Sequence, residues 1–262
     1  MKIGRCFNDF NGGESIYRRI ADFGYEYLEV PLTRIVSFDR GKLGQIKRES
    51  EAVGLGIEAC NIFFSGSLAL IGPRFNEMAV MGYVKDAMEK AAFLGIKTAV
   101  LGSGDARRRP DNMPAEEAIE GLAYIFAKTA DIAAENGVLI ALEPLNATEC
   151  NTVISGDEGI AMVKRVDHRN FKLLLDIYHM AQNNESLEVV QRASLMLRHC
   201  HLAAVPDRGF PGPERMDSYG GFLNELRDTG YSGNISVEAG FEGEIDAGGV
   251  WHLRRWVENN MK

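Results

Sequence analysis

One local pattern recurs along the chain and limits what it can fold into. An amphipathic stretch closes on a glycine, and a short β-rich apolar run follows at once. The instances are Gly24-Tyr25-Glu26-Tyr27-Leu28-Glu29-Val30, Gly54-Leu55-Gly56-Ile57-Glu58-Ala59-Cys60 and Gly95-Ile96-Lys97-Thr98-Ala99-Val100-Leu101. Two more are Gly137-Val138-Leu139-Ile140-Ala141-Leu142-Glu143 and Gly230-Tyr231-Ser232-Gly233-Asn234-Ile235-Ser236-Val237-Glu238. Glycine tolerates the left-handed conformation that closes a helix. A short continuous apolar run suits a parallel strand covered on both faces. Phe171–Asp176 and Arg198–Ala203 share this character without the glycine, and the N-terminal run Met1–Phe7 brings the count to eight.

Apolar positions at helical spacing fill the gaps near residues 14–23, 39–53, 76–94, 114–136, 156–166, 186–197, 218–229 and 247–260, with Asn76 and Pro114 suited to helix starts. Strands alternating with helices imply a parallel sheet. Eight alternations in 262 residues fit a closed (β/α)8 TIM barrel, which takes about 250 residues, better than an open doubly wound sheet. No linker or composition shift divides the chain, so residues 1–262 are expected to form a single α/β domain. With 45% hydrophobic residues, a packed core needs no disulfide. The chain has neither a Gly-x-Gly-x-x-Gly after its first strand nor a phosphate-cradling Gly-x-x-x-x-Gly-Lys-Ser/Thr, which argues against a nucleotide enzyme.

A net charge of −8 disfavours nucleic acid as a partner, since the only dense basic run is Arg107-Arg108-Arg109. The four cysteines, Cys6, Cys60, Cys150 and Cys200, are far apart and form no Cys-x-x-Cys. They read as small buried hydrophobes or free thiols, in keeping with a reducing cytoplasm. The N-terminus leads straight into a strand without the features of a signal peptide. No window approaches roughly 18 consecutive apolar residues, so no membrane span is expected.

In a barrel the C-terminal strand ends carry the chemistry. The fifth run ends at Glu143, the sixth at Asp176 and the eighth at Glu238, while the seventh carries His201. Four consecutive strands thus bring three carboxylates and an imidazole to one rim. Buried like charges are costly unless a cation neutralises them. One divalent ion would do so, and this oxygen-rich donor set with one nitrogen suits Mn²⁺, Mg²⁺ or Co²⁺, and Zn²⁺ less strongly. Glu149, His179 and Arg208 follow these strand ends closely and would lie on loops above the ion, where they could bind substrate hydroxyls or a carboxylate. Arginines in Gly102-Ser103-Gly104-Asp105-Ala106-Arg107-Arg108-Arg109-Pro110 could grip an anionic group from the same rim. Glu29 ends the second strand and is expected to reach the rim. His199 shares the strand face of His201 and would line the site or support it from behind. His168 and His252 read as packing or surface residues, and Trp251 and Trp256 as cover for the barrel's bottom or side.

These motifs resemble the xylose isomerase-like TIM-barrel superfamily, most closely its sugar epimerase and hydroxypyruvate isomerase branches. Leu142-Glu143-Pro144-Leu145-Asn146, Leu175-Asp176-Ile177-Tyr178-His179-Met180 and Ser236-Val237-Glu238 are similar to the carboxylate motifs of ketose 3-epimerases. Glu149 and His179 fall at the spacing of that family's substrate contacts. The loop from His201 to Gly212 is nearer the hydroxypyruvate isomerase length, although that branch tends to have Gln where this chain has His201. The matching motifs lie in the second half of the chain. Phe7, Asn61 and Phe63 in the first half match no substrate-defining pattern.

The resemblance implies a metal-dependent sugar isomerase or epimerase, with self-association as a further expectation. The residue chemistry agrees. An ion on a sugar carbonyl and its neighbouring hydroxyl stabilises the enediolate formed when the α-proton leaves. Glu143 and Glu238 on opposite sides can then act as base and acid. Returning the proton to the opposite face gives an epimer, and to the neighbouring carbon an aldose–ketose isomer. A lyase or dehydratase using the same site, on a sugar or inosose-type substrate, is the alternative. A non-catalytic sugar-binding barrel is the plainest one. An abasic-site endonuclease would need several metal ions and many histidines, and this chain has five.

Overall fold

The computed structural model describes residues 1–240 and 249–261. The apolar runs are strands: β1 (Ile3–Cys6), β2 (Tyr27–Pro31), β3 (Gly56–Asn61), β4 (Thr98–Leu101), β5 (Leu139–Leu142), β6 (Phe171–Asp176), β7 (Leu197–Leu202) and β8 (Asn234–Val237). They pair in parallel in chain order, and β1 closes on β8 to complete the barrel. An open sheet is thereby excluded.

The helices are α1 (Gly13–Asp22), α2 (Leu32–Val36), α3 (Arg40–Glu51), α4 (Glu77–Leu94), α5 (Ala115–Glu135), α6 (Gly156–Val166), α7 (Ile177–Gln182), α8 (Val189–Ala193), α9 (Met216–Asp228) and α10 (Trp251–Asn260). The punctuation works as expected. The Asn76 side chain accepts the Ala79 amide at the start of α4, and Gly95 closes that helix at φ 96°. Pro114 stands just before α5. Two stretches differ from expectation. The short helix α2 follows β2 directly. The helix expected over 186–197 shrinks to α8, with turns at 187–188 and 194–196 on either side, and α7, capped by the Asp176 side chain on the Tyr178 amide, is an additional helix directly after β6. Asn184 then turns the chain through φ 52°, and β7 begins at Leu197. Residues 247 and 248 of the last expected helix lie outside the described residues.

Strand side chains alternate between two environments. Cys60, Leu101, Leu142, Leu175, Cys200, Leu202, Ile235 and Val237 join the main core, packed with the helices. Val100, Ala141 and Leu174 form a separate small cluster inside the barrel. The inward series therefore runs Ala141–Glu143, Leu174–Asp176, His199–His201 and Ser236–Glu238. Two register shifts interrupt the ladder, one between β2 and β3 beside Glu58 and one between β6 and β7 beside Arg198.

Trp251 packs its indole on the end of α1, donating to the Asp22 carbonyl at 3.3 Å, and Trp256 packs partly buried against the core. His168 lies 3.4 Å from Asp131, and His252 is held by the Pro211 carbonyl at 2.9 Å, so both are structural. The four cysteines are free thiols. No helix among the described residues is long and apolar enough to cross a membrane.

Candidate active site

Every second side chain of a strand faces the barrel axis, so the last inward position of each strand meets the others at the mouth. Glu143, Asp176, His201 and Glu238 occupy such positions, and their possible ligand atoms all lie within 4.8 Å of one another. His201 Nδ1 stands 3.0 Å from Glu143 Oε1 and 3.2 Å from Glu238 Oε2.

The floor beneath them is polar. Glu29 lies there, fully buried, rather than on the rim as expected. Its Oε1 is 2.9 Å from His201 Nε2, and its Oε2 is 2.7 Å from His199 Nε2. Ser236 Oγ donates to Glu29 Oε2 at 2.6 Å and lies 2.7 Å from the Tyr27 hydroxyl. β2 runs two residues beyond Glu29, so Pro31, paired with Asn61, takes the inward position at the mouth and Glu29 lies one layer below it. His199 accordingly supports the site from behind.

Burial pushes the Glu29 carboxyl up, but the charges of His201 and His199 and their hydrogen bonds outweigh it and hold it well below the ordinary range. Glu29 is therefore an acceptor, so His201 Nε2 carries a proton and Nδ1 faces the three carboxylates. Burial alone would favour a neutral His201. Glu29, Glu238 and Glu143 override it and raise its pKa well above the ordinary value. In Glu238, burial is outweighed by His201 and Arg208, leaving the carboxyl at about 2.

Asp176 goes the other way. Burial lifts its carboxyl to about 6 against the pull of His179. Oδ1 accepts the Tyr178 amide at 2.8 Å, while Oδ2 is buried with no hydrogen-bond partner. An orphaned carboxylate oxygen facing two further carboxylates and an imidazole nitrogen fits a divalent cation. Cys6 completes a second grouping with His201 and Glu238.

Glu149, His179 and Arg208 line one cavity of about 370 Å³ together with Glu143 and Glu238. His179 is buried, and its Nδ1 accepts the Asn146 backbone amide at 3.2 Å and lies 2.9 Å from Asn146 Nδ2. Its Nε2 proton therefore points into the site, 3.6 Å from Asp176 Oδ2 and 3.9 Å from Glu143 Oε1. Asn146 Nδ2 also holds Glu149 Oε1 at 2.8 Å, so one residue sets both side chains. Arg208 pairs with Glu238 Oε2, reaches within 3.6 Å of Asp176 Oδ2 and lies 4.6 Å over the Tyr178 ring. Ile62, Ser103 and Arg208 hold φ of 45°, 48° and 55° around this mouth. Left-handed backbone at non-glycine residues clusters where the surroundings impose it, often at functional sites.

Within the arginine run after β4, Arg107 does not reach the rim. Arg107 is fully buried and turns away from the mouth. Its guanidinium donates to the carbonyls of Gly102, Thr152, Val153 and Glu143, tying the loop after β4 to the one after β5. Arg108 holds the Glu149 carbonyl at 2.7 Å and Arg109 that of Met113 at 2.7 Å. At Gly102 a Cβ would collide with Glu143 Oε2, and at Gly104 with the Glu149 carbonyl.

Asn61, at the inward end of β3, also belongs here, since its Nδ2 donates to Glu238 Oε1 at 3.1 Å. The signal for it was the same count of two along the strand that exposes Glu143 and Glu238. Asn146 and Gly102 had no such signal, since their roles depend on loop packing.

Comparison with known proteins places the molecule. The L-ribulose 3-epimerase of Methylomonas sp. (strain DH-1) is 27% identical over 226 residues, covering 85% of this chain and 76% of that protein. A putative hydroxypyruvate isomerase of Streptomyces coelicolor is 28% identical over 218 residues, covering 76% of this chain and 75% of the other. The D-psicose 3-epimerase of Clostridium cellulolyticum H10, solved with D-tagatose, shares the fold at a TM-score of 0.79 and 20% identity, over 95% of this chain and 89% of that one. The family model for the xylose isomerase-like TIM barrel matches residues 17–257. A closed eight-stranded parallel barrel with this family's signature along nearly its whole length belongs to the xylose isomerase-like TIM barrel family.

Proposed function

We propose that the protein is a divalent-metal-dependent isomerase or epimerase that acts on a ketose or a related small hydroxy-carbonyl compound through an enediolate. The observation that carries this reading is the meeting of Glu143, Asp176, His201 and Glu238 with their ligand atoms within 4.8 Å. The kinship with L-ribulose 3-epimerase and hydroxypyruvate isomerase supports it.

In this reading Glu143, Asp176, Glu238 and His201 Nδ1 hold the ion, with Mn²⁺, Mg²⁺ or Co²⁺ the better match and Zn²⁺ the softer one. A bound ion supplies positive charge for the oxygens that become negative as the α-proton leaves. Asp176, capped on the Tyr178 amide, and His201, gripped by Glu29, serve mainly as anchors. Glu143, just after β5, and Glu238, just after β8, bring carboxylates from different sides of the barrel. One takes the proton from the carbon beside the carbonyl, and the electron pair moves into the enediolate. The other, which must carry a proton when the substrate binds, gives it to the opposite face, producing the epimer; return of the abstracted proton to the neighbouring carbon gives the aldose–ketose isomer. His179 donates its Nε2 proton to a substrate oxygen. Arg208 and Glu149 bind hydroxyls at the mouth.

The test is deuterium uptake at the carbon next to the carbonyl. The metal-loaded protein is incubated in deuterated water with D-psicose, D-tagatose, L-ribulose and hydroxypyruvate. Uptake by at least one is expected, with the loss of about 10²-fold or more in Glu143→Gln and Glu238→Gln. Undiminished uptake in both variants would sink the acid–base assignment. A product lighter by water would move the protein to the lyases.

A further inference from the structure

Asn61 is 7% exposed, and its carboxamide has one satisfied side and one unsatisfied side. The orientation is fixed by chemistry. Glu238 Oε1, 3.1 Å away, can only accept, so the amide NH₂ must face it. Oδ1 is then on the far side, buried and with no hydrogen-bond partner. Buried acceptors are almost always paired, and an exception calls for a missing donor. Asn61 also stands where two cavities meet. It lines the 370 Å³ site cavity and a second one of about 200 Å³ shared with Cys6, Phe7, Pro31 and Glu238. Arg208, which lines the site cavity, is held by Glu238.

Resting on the function proposed above, we propose that Asn61 serves substrate and base together: Oδ1 accepts a hydroxyl of the substrate beyond the reacting carbons, while Nδ2 orients the Glu238 carboxylate. A carbonyl oxygen can accept a hydroxyl proton but repels a carboxylate or a phosphate. The second cavity therefore takes the neutral hydroxylated chain of a ketose rather than the anionic end of a keto acid.

Two variants separate the two halves. Asn61→Asp keeps an acceptor oxygen but loses the donor to Glu238, whereas Asn61→Ala loses both. With D-psicose, Asn61→Ala is expected to raise KM about tenfold and to slow deuterium uptake at saturation about tenfold, the scale of one lost hydrogen bond each. Asn61→Asp is expected to slow uptake while leaving KM within about threefold of wild type. With hydroxypyruvate, KM should be unchanged in Asn61→Ala. Wild-type values in both variants, or a parallel fall in kcat, affinity and melting temperature in both, would overturn the proposal. Failure of the functional reading looks different: wild-type protein then exchanges no deuterium with any compound. Calorimetric binding of xylitol to the metal-loaded protein still decides the role of Oδ1. Weaker binding to Asn61→Ala than to wild type supports it, and equal or undetectable binding to both overturns it.

Discussion

Glu29 Oε1 lies 2.9 Å from His201 Nε2, on the opposite side of the imidazole from Glu143 and Glu238. The carboxylate thereby decides which ring nitrogen faces the mouth. A metal-binding histidine commonly has its second nitrogen held in this way, which fixes both tautomer and ring orientation.

Replacing Glu29 with Gln substitutes a group that can donate as well as accept. The neutral ring can then keep its remaining proton on Nδ1, where it blocks coordination. Glu29→Gln is expected to lower affinity for Mn²⁺ or Co²⁺ about 10–100-fold, read by competition with a chelator. Unchanged affinity would mean that the ring is oriented by packing alone.

Metal affinity should rise with pH. The folded protein without metal raises the pKa of His201 well above its ordinary value, so Nδ1 holds a proton at neutral pH that an ion must displace. Asp176, at about 6, gives up its proton in the lower part of the same range. Both effects favour binding as protons are withdrawn, while Glu238, at about 2, is already ionised. Chelator competition between about pH 6 and 8 should show affinity climbing about tenfold per pH unit for one displaced proton. A flat profile would show that no proton leaves Nδ1.

Gly102 touches the chemistry without carrying any. A Cβ there would meet Glu143 Oε2. Gly102→Ala should therefore displace the Glu143 carboxylate and cut deuterium uptake about tenfold or more, in line with the cost of a small misplacement of a reacting group. The melting temperature should change little. A wild-type rate would show that Glu143 can move aside at no cost.

Arg107 predicts a stability effect. Its guanidinium satisfies the carbonyls of Gly102, Thr152, Val153 and Glu143 in a fully buried setting. Arg107→Met keeps much of the volume but leaves those acceptors unpaired, at an expected cost of about 2–4 kcal/mol in urea unfolding. A loss below about 0.5 kcal/mol would mean that water replaces the guanidinium freely.

The amino-acid order exposed much of this. The strand runs and their polar ends are local signals, so Glu143, Asp176, His201 and Glu238 could be read together once eight βα units were counted. The same parity points inward at Asn61 and Glu29, but their partners are 177 and 172 residues away in sequence. Which layer of the barrel each reaches depends on strand stagger, which no local pattern encodes. Arg107 misled for a related reason: an arginine beside two others in a glycine-rich loop at a strand end reads as able to grip an anion, and only the fold shows backbone carbonyls gathered around it. The helix expected over 186–197 is overdrawn at both ends, since turns take residues 187–188 and 194–196 and Leu197 already belongs to β7.

The irregular step between β6 and β7 has a consequence for how the chain can vary. Leu173 pairs with Leu197 and Leu174 with His199, so β7 carries one residue, the exposed Arg198, that the ladder does not use. A bulge of this kind lets one strand segment change phase relative to the next. The apolar start of β7 is thus decoupled from the stretch bearing the two imidazoles. Insertions or deletions in the α7–α8 connection can be taken up at Arg198 before they reach His199. A single-residue deletion beyond it, between His199 and His201, has no such buffer and would turn the imidazole series toward the helices.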